Sequence, residues 1–131
     1  MTGVNMKKKF SLVLIICICI VFLSCGSDTE EYRLETEKRE ECSQNLRDIG
    51  NAVFSYKLSN KTLPDNLEQL VEGKFIRSIP KCPVSEGKYT YEKKGSGFRI
   101  SCPNPELHVG LSGMKSRLKK LYYDTDKVVQ E

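Results

Sequence analysis

The sequence predicts an α+β domain in which one N-terminal spine helix packs on a small antiparallel β-sheet, with short extra helices beside them. Cys42, Leu46, Ile49, Val53 and Tyr56 recur at alternating steps of four and three, which makes an apolar stripe on one helical face. Tyr89-Thr90-Tyr91 and Phe98-Arg99-Ile100-Ser101-Cys102 instead alternate with period two, each sending its large side chains to one face. Between them, Glu92-Lys93-Lys94-Gly95-Ser96-Gly97 has the charge and glycine content of a hairpin loop. A hairpin this small can hide its apolar face only against the helix, and that sets the architecture.

In the spine, Ala52 widens the stripe, Gln44, Arg47, Asp48 and Lys57 lie off it, and Ser59-Asn60-Lys61 ends it. Gly50 costs the helix up to about 1 kcal/mol relative to Ala, a cost that close packing at this position would explain. A second, short helix is expected next. Asp65 is its expected N-cap, and Glu68 completes the capping-box spacing. Leu67, Leu70 and Val71 form its expected buried side, and Gly73 is the expected residue just past its end. Gly95-Ser96-Gly97 lacks the length and the following helix of a phosphate-cradling loop and reads as a turn. Near the C-terminus, Leu111, Met114, Leu118 and Leu121 with Lys115, Arg117, Lys119 and Lys120 among them predict a basic amphipathic helix. Its stripe is expected to pack on the domain, although such a helix can also lie on anionic lipid.

The front of the chain reads as an export signal. Lys7-Lys8-Lys9 precede Phe10–Leu23, in which Ser11 is the only polar residue, too short a run for an ordinary spanning helix. Phe22-Leu23-Ser24-Cys25-Gly26 resembles a bacterial lipobox, which implies cleavage before Cys25 and acylation of its thiol and new amino group. Residues 1–24 hold three of the 21 basic residues and none of the 17 acidic ones, so the formal charge of +4 falls to +1 without them. That argues against a nucleic-acid partner, which is not expected. Residues 25–41 carry a run of acids and bases that reads as a charged tether or helix extension, and residues 42–131 form the globular domain.

The motifs of that domain form a recognisable order. Cys42-x-x-Asn45-Leu46-Arg47-x-Ile49-Gly50-x-Ala52 is followed by Tyr56, Leu63-Pro64, Leu67-x-x-Leu70, Ile79-Pro80-x-Cys82-Pro83 and Tyr89-x-Tyr91. Together they resemble the globular part of type IV pilin-like proteins, and most of all the pseudopilins of type II secretion systems. Leu121-Tyr122-Tyr123-Asp124 through Val129 resembles the ending of some of these relatives. The resemblance implies a non-enzymatic structural or interaction role. It departs at the front, where Lys9 replaces the glycine that prepilin peptidase requires and Leu14 occupies the position of the glutamate that supports assembly. The expectation is therefore a lipid-anchored extracytoplasmic protein of the cell envelope, facing the periplasm or exterior. It would be membrane-bound through Cys25, with a protein partner in a secretion or envelope assembly. The alternative is a minor pseudopilin inserted by an uncleaved Phe10–Leu23 helix.

With one His and no Trp, most hydrolase and transferase constellations lack parts, so no catalytic residue and no cofactor are expected. Cys42, Cys82 and Cys102 remain besides the anchor, and an exported protein favours a disulfide. A hairpin turning near Gly95, with a bend over residues 83–87, would bring Cys82 towards Cys102, the expected pair, leaving Cys42 as a third, buried thiol. A zinc set of Cys42, Cys82, Cys102 and His108 is the competing reading, but no CxxC or HxxxH spacing supports it.

Overall fold

Thirty-four consecutive residues, Ser27–Asn60, form helix α1. The segment contains no proline, and Gly50 is its only glycine. Its polar side is stitched by short-range bonds such as Gln44 Nε2 to Asp48 Oδ1 at 2.8 Å. It stops where Lys61 takes a left-handed φ of 61° and donates its N–H to the Lys57 carbonyl. The computed structural model describes residues 27–110, 117–125 and 127–130. The leader, the lipobox with Cys25, and Leu111 and Met114 of the expected tail helix lie outside the described residues. The chain divides into two compact units, Met1–Arg33 and Leu34–Glu131. No helix among the described residues is long and apolar enough to cross a membrane.

The α+β architecture is as the periodicities predict. Cys42, Leu46, Ile49 and Val53 are fully buried, Ala52 nearly so, and Tyr56 packs at the edge of the same core. Opposite them lies a four-stranded antiparallel meander in the order β1-β2-β3-β4. Its strands are β1 (Thr90–Lys94), β2 (Gly97–Ser101), β3 (Leu121–Asp124) and β4 (Lys127–Gln130). The first hairpin is tighter than expected: pairing runs to Lys94↔Gly97, so only Gly95 and Ser96 turn, with Gly95 at a φ of 58°.

Local expectations for the second helix and for the C-terminal segment are corrected. The second helix, α2, spans Glu68–Glu72, and Asp65 does not cap it. Instead Asn66 Oδ1 accepts the Gln69 N–H, and Gln69 Oε1 reaches back to the Asp65 N–H, a capping arrangement built on Asn66 and Gln69. Asp65 is held outward by Lys93, and Val71 faces solvent while Leu67 and Leu70 are buried. Gly73 stays right-handed, and Lys74 takes the positive φ. The C-terminal segment is corrected as well. The described residues here form no helix: Arg117 is bridged to Val109, Leu121–Asp124 form β3, and Leu118, Leu121 and Tyr123 enter the core. Apolar residues at 121 and 123 obey the period of a strand, and the pairing partner β4 is supplied by the chain's own end.

Gly50 meets the core here. Tyr123 stacks on Phe98 with ring centroids 5.8 Å apart, and a Cβ at position 50 would lie 2.6 Å from Tyr123 Cε1. The glycine therefore lets helix and sheet approach closely.

On the other face of the sheet, Arg99 lies 4.3 Å over the Tyr122 ring and 2.6 Å from Asp124 Oδ2. The hydrogen bond from Arg99 holds the Asp124 carboxyl below its ordinary pKa. A depressed carboxylate contributes stability above its unfolded pKa and loses it as pH falls through the folded value. Asp124→Asn is therefore expected to lower stability at neutral pH and to flatten the loss of stability below about pH 4. Acid titrations of both proteins followed by circular dichroism check this, and parallel acid limbs would exclude it.

Candidate functional site: a buried cysteine and histidine cluster

Four side chains from four different segments converge at one point in the core. Cys42 comes from the buried stripe of α1, Cys82 from the loop after α2, and Cys102 from the residue following β2. His108 follows the 3₁₀ turn Pro105–Leu107. Relative exposures are 0% for Cys42, 1% for Cys82, 5% for Cys102 and 1% for His108.

Local structure explains each placement. Cys82 lies in a tight loop where its N–H donates to the Gly87 carbonyl and its carbonyl accepts from the Glu86 N–H, with Lys81 bridged to Lys88. Asn45, one turn after Cys42, fastens this loop to α1 through the Lys81 carbonyl at 3.3 Å. The Cys102 N–H donates to the Leu121 carbonyl, extending the β2–β3 ladder by one bond. The Leu118 N–H donates to the His108 carbonyl, and the Val109↔Arg117 bridge holds the same strip of chain.

The functional atoms all lie within 4.8 Å of one another. His108 Nε2 is 3.3 Å from Cys82 Sγ and 3.5 Å from Cys102 Sγ, and the two sulfurs are 3.8 Å apart. Tyr89, whose Oη is 3.3 Å from Cys42 Sγ, donates a hydrogen bond to that sulfur from the second layer. His108 Nδ1 is buried without a hydrogen-bond partner among the described residues. Arg39, one turn before Cys42, is buried as well: Nη1 donates to the Gly110 carbonyl at 3.1 Å, and Nε has no partner among the described residues.

The bend over residues 83–87 brings Cys82 beside Cys102, with the two sulfurs 3.8 Å apart where a disulfide holds them at about 2.0 Å. Cys42 is buried as expected, and its sulfur is the third of the cluster. The hairpin register, which pairs Thr90 with Ser101, continues to Tyr89 opposite Cys102.

The electrostatics suit a closed site. Hydrogen bonding to Cys42, together with burial, pushes the Cys102 thiol well up, which makes it a poor nucleophile. Burial disfavours the imidazolium of His108, but its contacts with Cys102 and Cys82 outweigh that and raise its pKa. Burial, reinforced by Cys42, drives the Tyr89 hydroxyl pKa upward, so it stays a donor. Three sulfurs and one ring nitrogen at these separations can hold a tetrahedral, borderline-soft cation, or two of the sulfurs can oxidise to a bridge.

No family model matches this chain, and neither the curated proteins nor the solved structures contain a significant match.

Proposed function

We propose that this chain is a lipid-anchored extracytoplasmic protein of the cell envelope, whose pilin-like domain serves as a non-enzymatic structural or interaction component. The observation that carries the reading is the lipobox-like Phe22-Leu23-Ser24-Cys25 at the end of a basic and then apolar leader, directly before the domain's long helix. The pilin-like part rests on the motif order from Cys42 to Tyr91. An interaction role draws support from Phe54 and Leu58, one helical turn apart on α1, which are 51% and 57% exposed. The partner is a protein of a secretion or envelope assembly, met on the outer side of the membrane that holds Cys25.

Cys25→Ser is expected to abolish acylation and to leave the precursor uncleaved or the domain displaced from the membrane. Mass spectrometry of the membrane-extracted chain reads this directly. An intact N-terminus at Met1 or Met6 in the unaltered protein would reject the lipoprotein reading in favour of a pseudopilin held by its uncleaved leader helix.

A further inference from the structure

We propose that Cys42, Cys82, Cys102 and His108 form a structural zinc site that clamps α1 to the sheet. The distances carry the proposal. Zinc bonds of about 2.3 Å to sulfur and about 2.0–2.1 Å to nitrogen, in tetrahedral directions, give edges of about 3.8 Å between sulfurs and about 3.5 Å between sulfur and nitrogen. The Cys82–Cys102 edge is 3.8 Å, and the two His108 edges are 3.3 and 3.5 Å. A pair of cysteines poised for oxidation would not also need an imidazole nitrogen and a third sulfur inside the same 4.8 Å.

The surroundings agree with this assignment. All four donors are protein atoms in the core, the closed arrangement of structural rather than catalytic zinc. Nε2 faces the sulfurs, so the ring proton belongs on Nδ1, the tautomer a ligating histidine needs. Tyr89 supplies the outer-layer hydrogen bond to the Cys42 sulfur. Binding exchanges three thiol protons for one dication: three sulfur–hydrogen bonds break, four bonds to zinc form, and three protons leave to solvent. The resulting site carries one net negative charge. Each ligand also belongs to a different segment, so the ion would tie α1, the loop after α2, the end of β2 and the 3₁₀ turn to one point.

The test uses the full chain recovered from its own compartment without chelator. Elemental analysis is expected to give one zinc per chain, with Cys42, Cys82 and Cys102 protected from alkylation until a chelator is added. Cobalt(II) exchanged into the site is expected to show the strong visible bands of tetrahedral thiolate coordination. Cys42→Ser and His108→Gln should each weaken metal retention at least tenfold, whereas a Cys82–Cys102 bridge would form without either side chain. The proposal fails if non-reducing peptide mapping finds Cys82 joined to Cys102. It also fails if the reduced, folded chain takes up neither zinc nor cobalt. The cobalt spectrum of the unaltered protein decides the matter even where a ligand variant does not fold.

Discussion

Ile49→Asp is expected to abolish the cooperative folding of the domain. Ile49 is fully buried at the centre of the α1 stripe, between Leu46 and Val53, with Gly50 and Tyr123 beside it. The substitution removes about 1.5–3 kcal/mol of side-chain burial and leaves a cavity. It also places a carboxylate in the middle of the apolar cluster, which adds several kcal/mol more. A domain of this size is stable by about 5–10 kcal/mol, so the sum removes most or all of the margin. Ile49→Val, which deletes one methylene, should cost only about 1 kcal/mol. Thermal melts by circular dichroism compare the two. An Asp variant that melts cooperatively within a few degrees of the parent would mean that the buried face of α1 is elsewhere.

Gly50→Val is expected to destabilise the domain by about 3 kcal/mol, the upper end of the usual overpacking cost. Added carbon at position 50 would collide with the Tyr123 ring, whose Cε1 lies 2.6 Å from the ideal Cβ position. That ring cannot simply turn aside, because it is stacked on Phe98 and anchored in the middle of the sheet by the pairs to Ile100 and Val128. Gly50→Ala should cost less, about 1–2 kcal/mol, because the gain in helix propensity of up to about 1 kcal/mol offsets part of the clash. Truncating Tyr123 to Ala in the Gly50→Val background should cancel much of the clash, and a double-mutant cycle by urea denaturation measures it. Additive effects in that cycle would show that the two residues do not meet.

The legibility of the sequence follows from the length of each periodic signal. The stripe from Cys42 to Tyr56 spans four helical turns, so a single composition error cannot hide it, and its members are buried as expected. The hairpin was equally plain because Tyr89, Tyr91, Phe98, Ile100 and Cys102 alternate on both sides of a glycine-bearing turn. The C-terminal strands were not. β3 is only four residues long, and lysines at 119 and 120 beside leucines at 118 and 121 imitate a helical face. Only pairing with β2 and β4, a tertiary event, decides the conformation there. The cap of α2 was missed by one position because Asp65, Asn66 and Glu68 all fit capping spacings, and the competing ion pair to Lys93 selects among them.

The cluster was legible as a list but not as a site. Its four members lie at 42, 82, 102 and 108, with no close pair to announce a ligand knuckle, so the spacing argument favoured two cysteines over four donors. What unites them is the fold: a helix turn, a tight loop, a strand end and a 3₁₀ turn happen to end at the same point.

The meander order of the sheet has a consequence for how quickly the molecule finds its native state. Each strand pairs with its neighbours in sequence, and the turns of both end hairpins are only two residues long. Hairpins of this kind form in about 1–10 μs, and a helix forms faster still. The slow encounter is then the docking of α1, which must bring Cys42 against residues 82, 102 and 108 and close the longest loops in the domain. The search therefore comes down to two long-range events between parts already partly made: the pairing of β2 with β3 and the docking of α1.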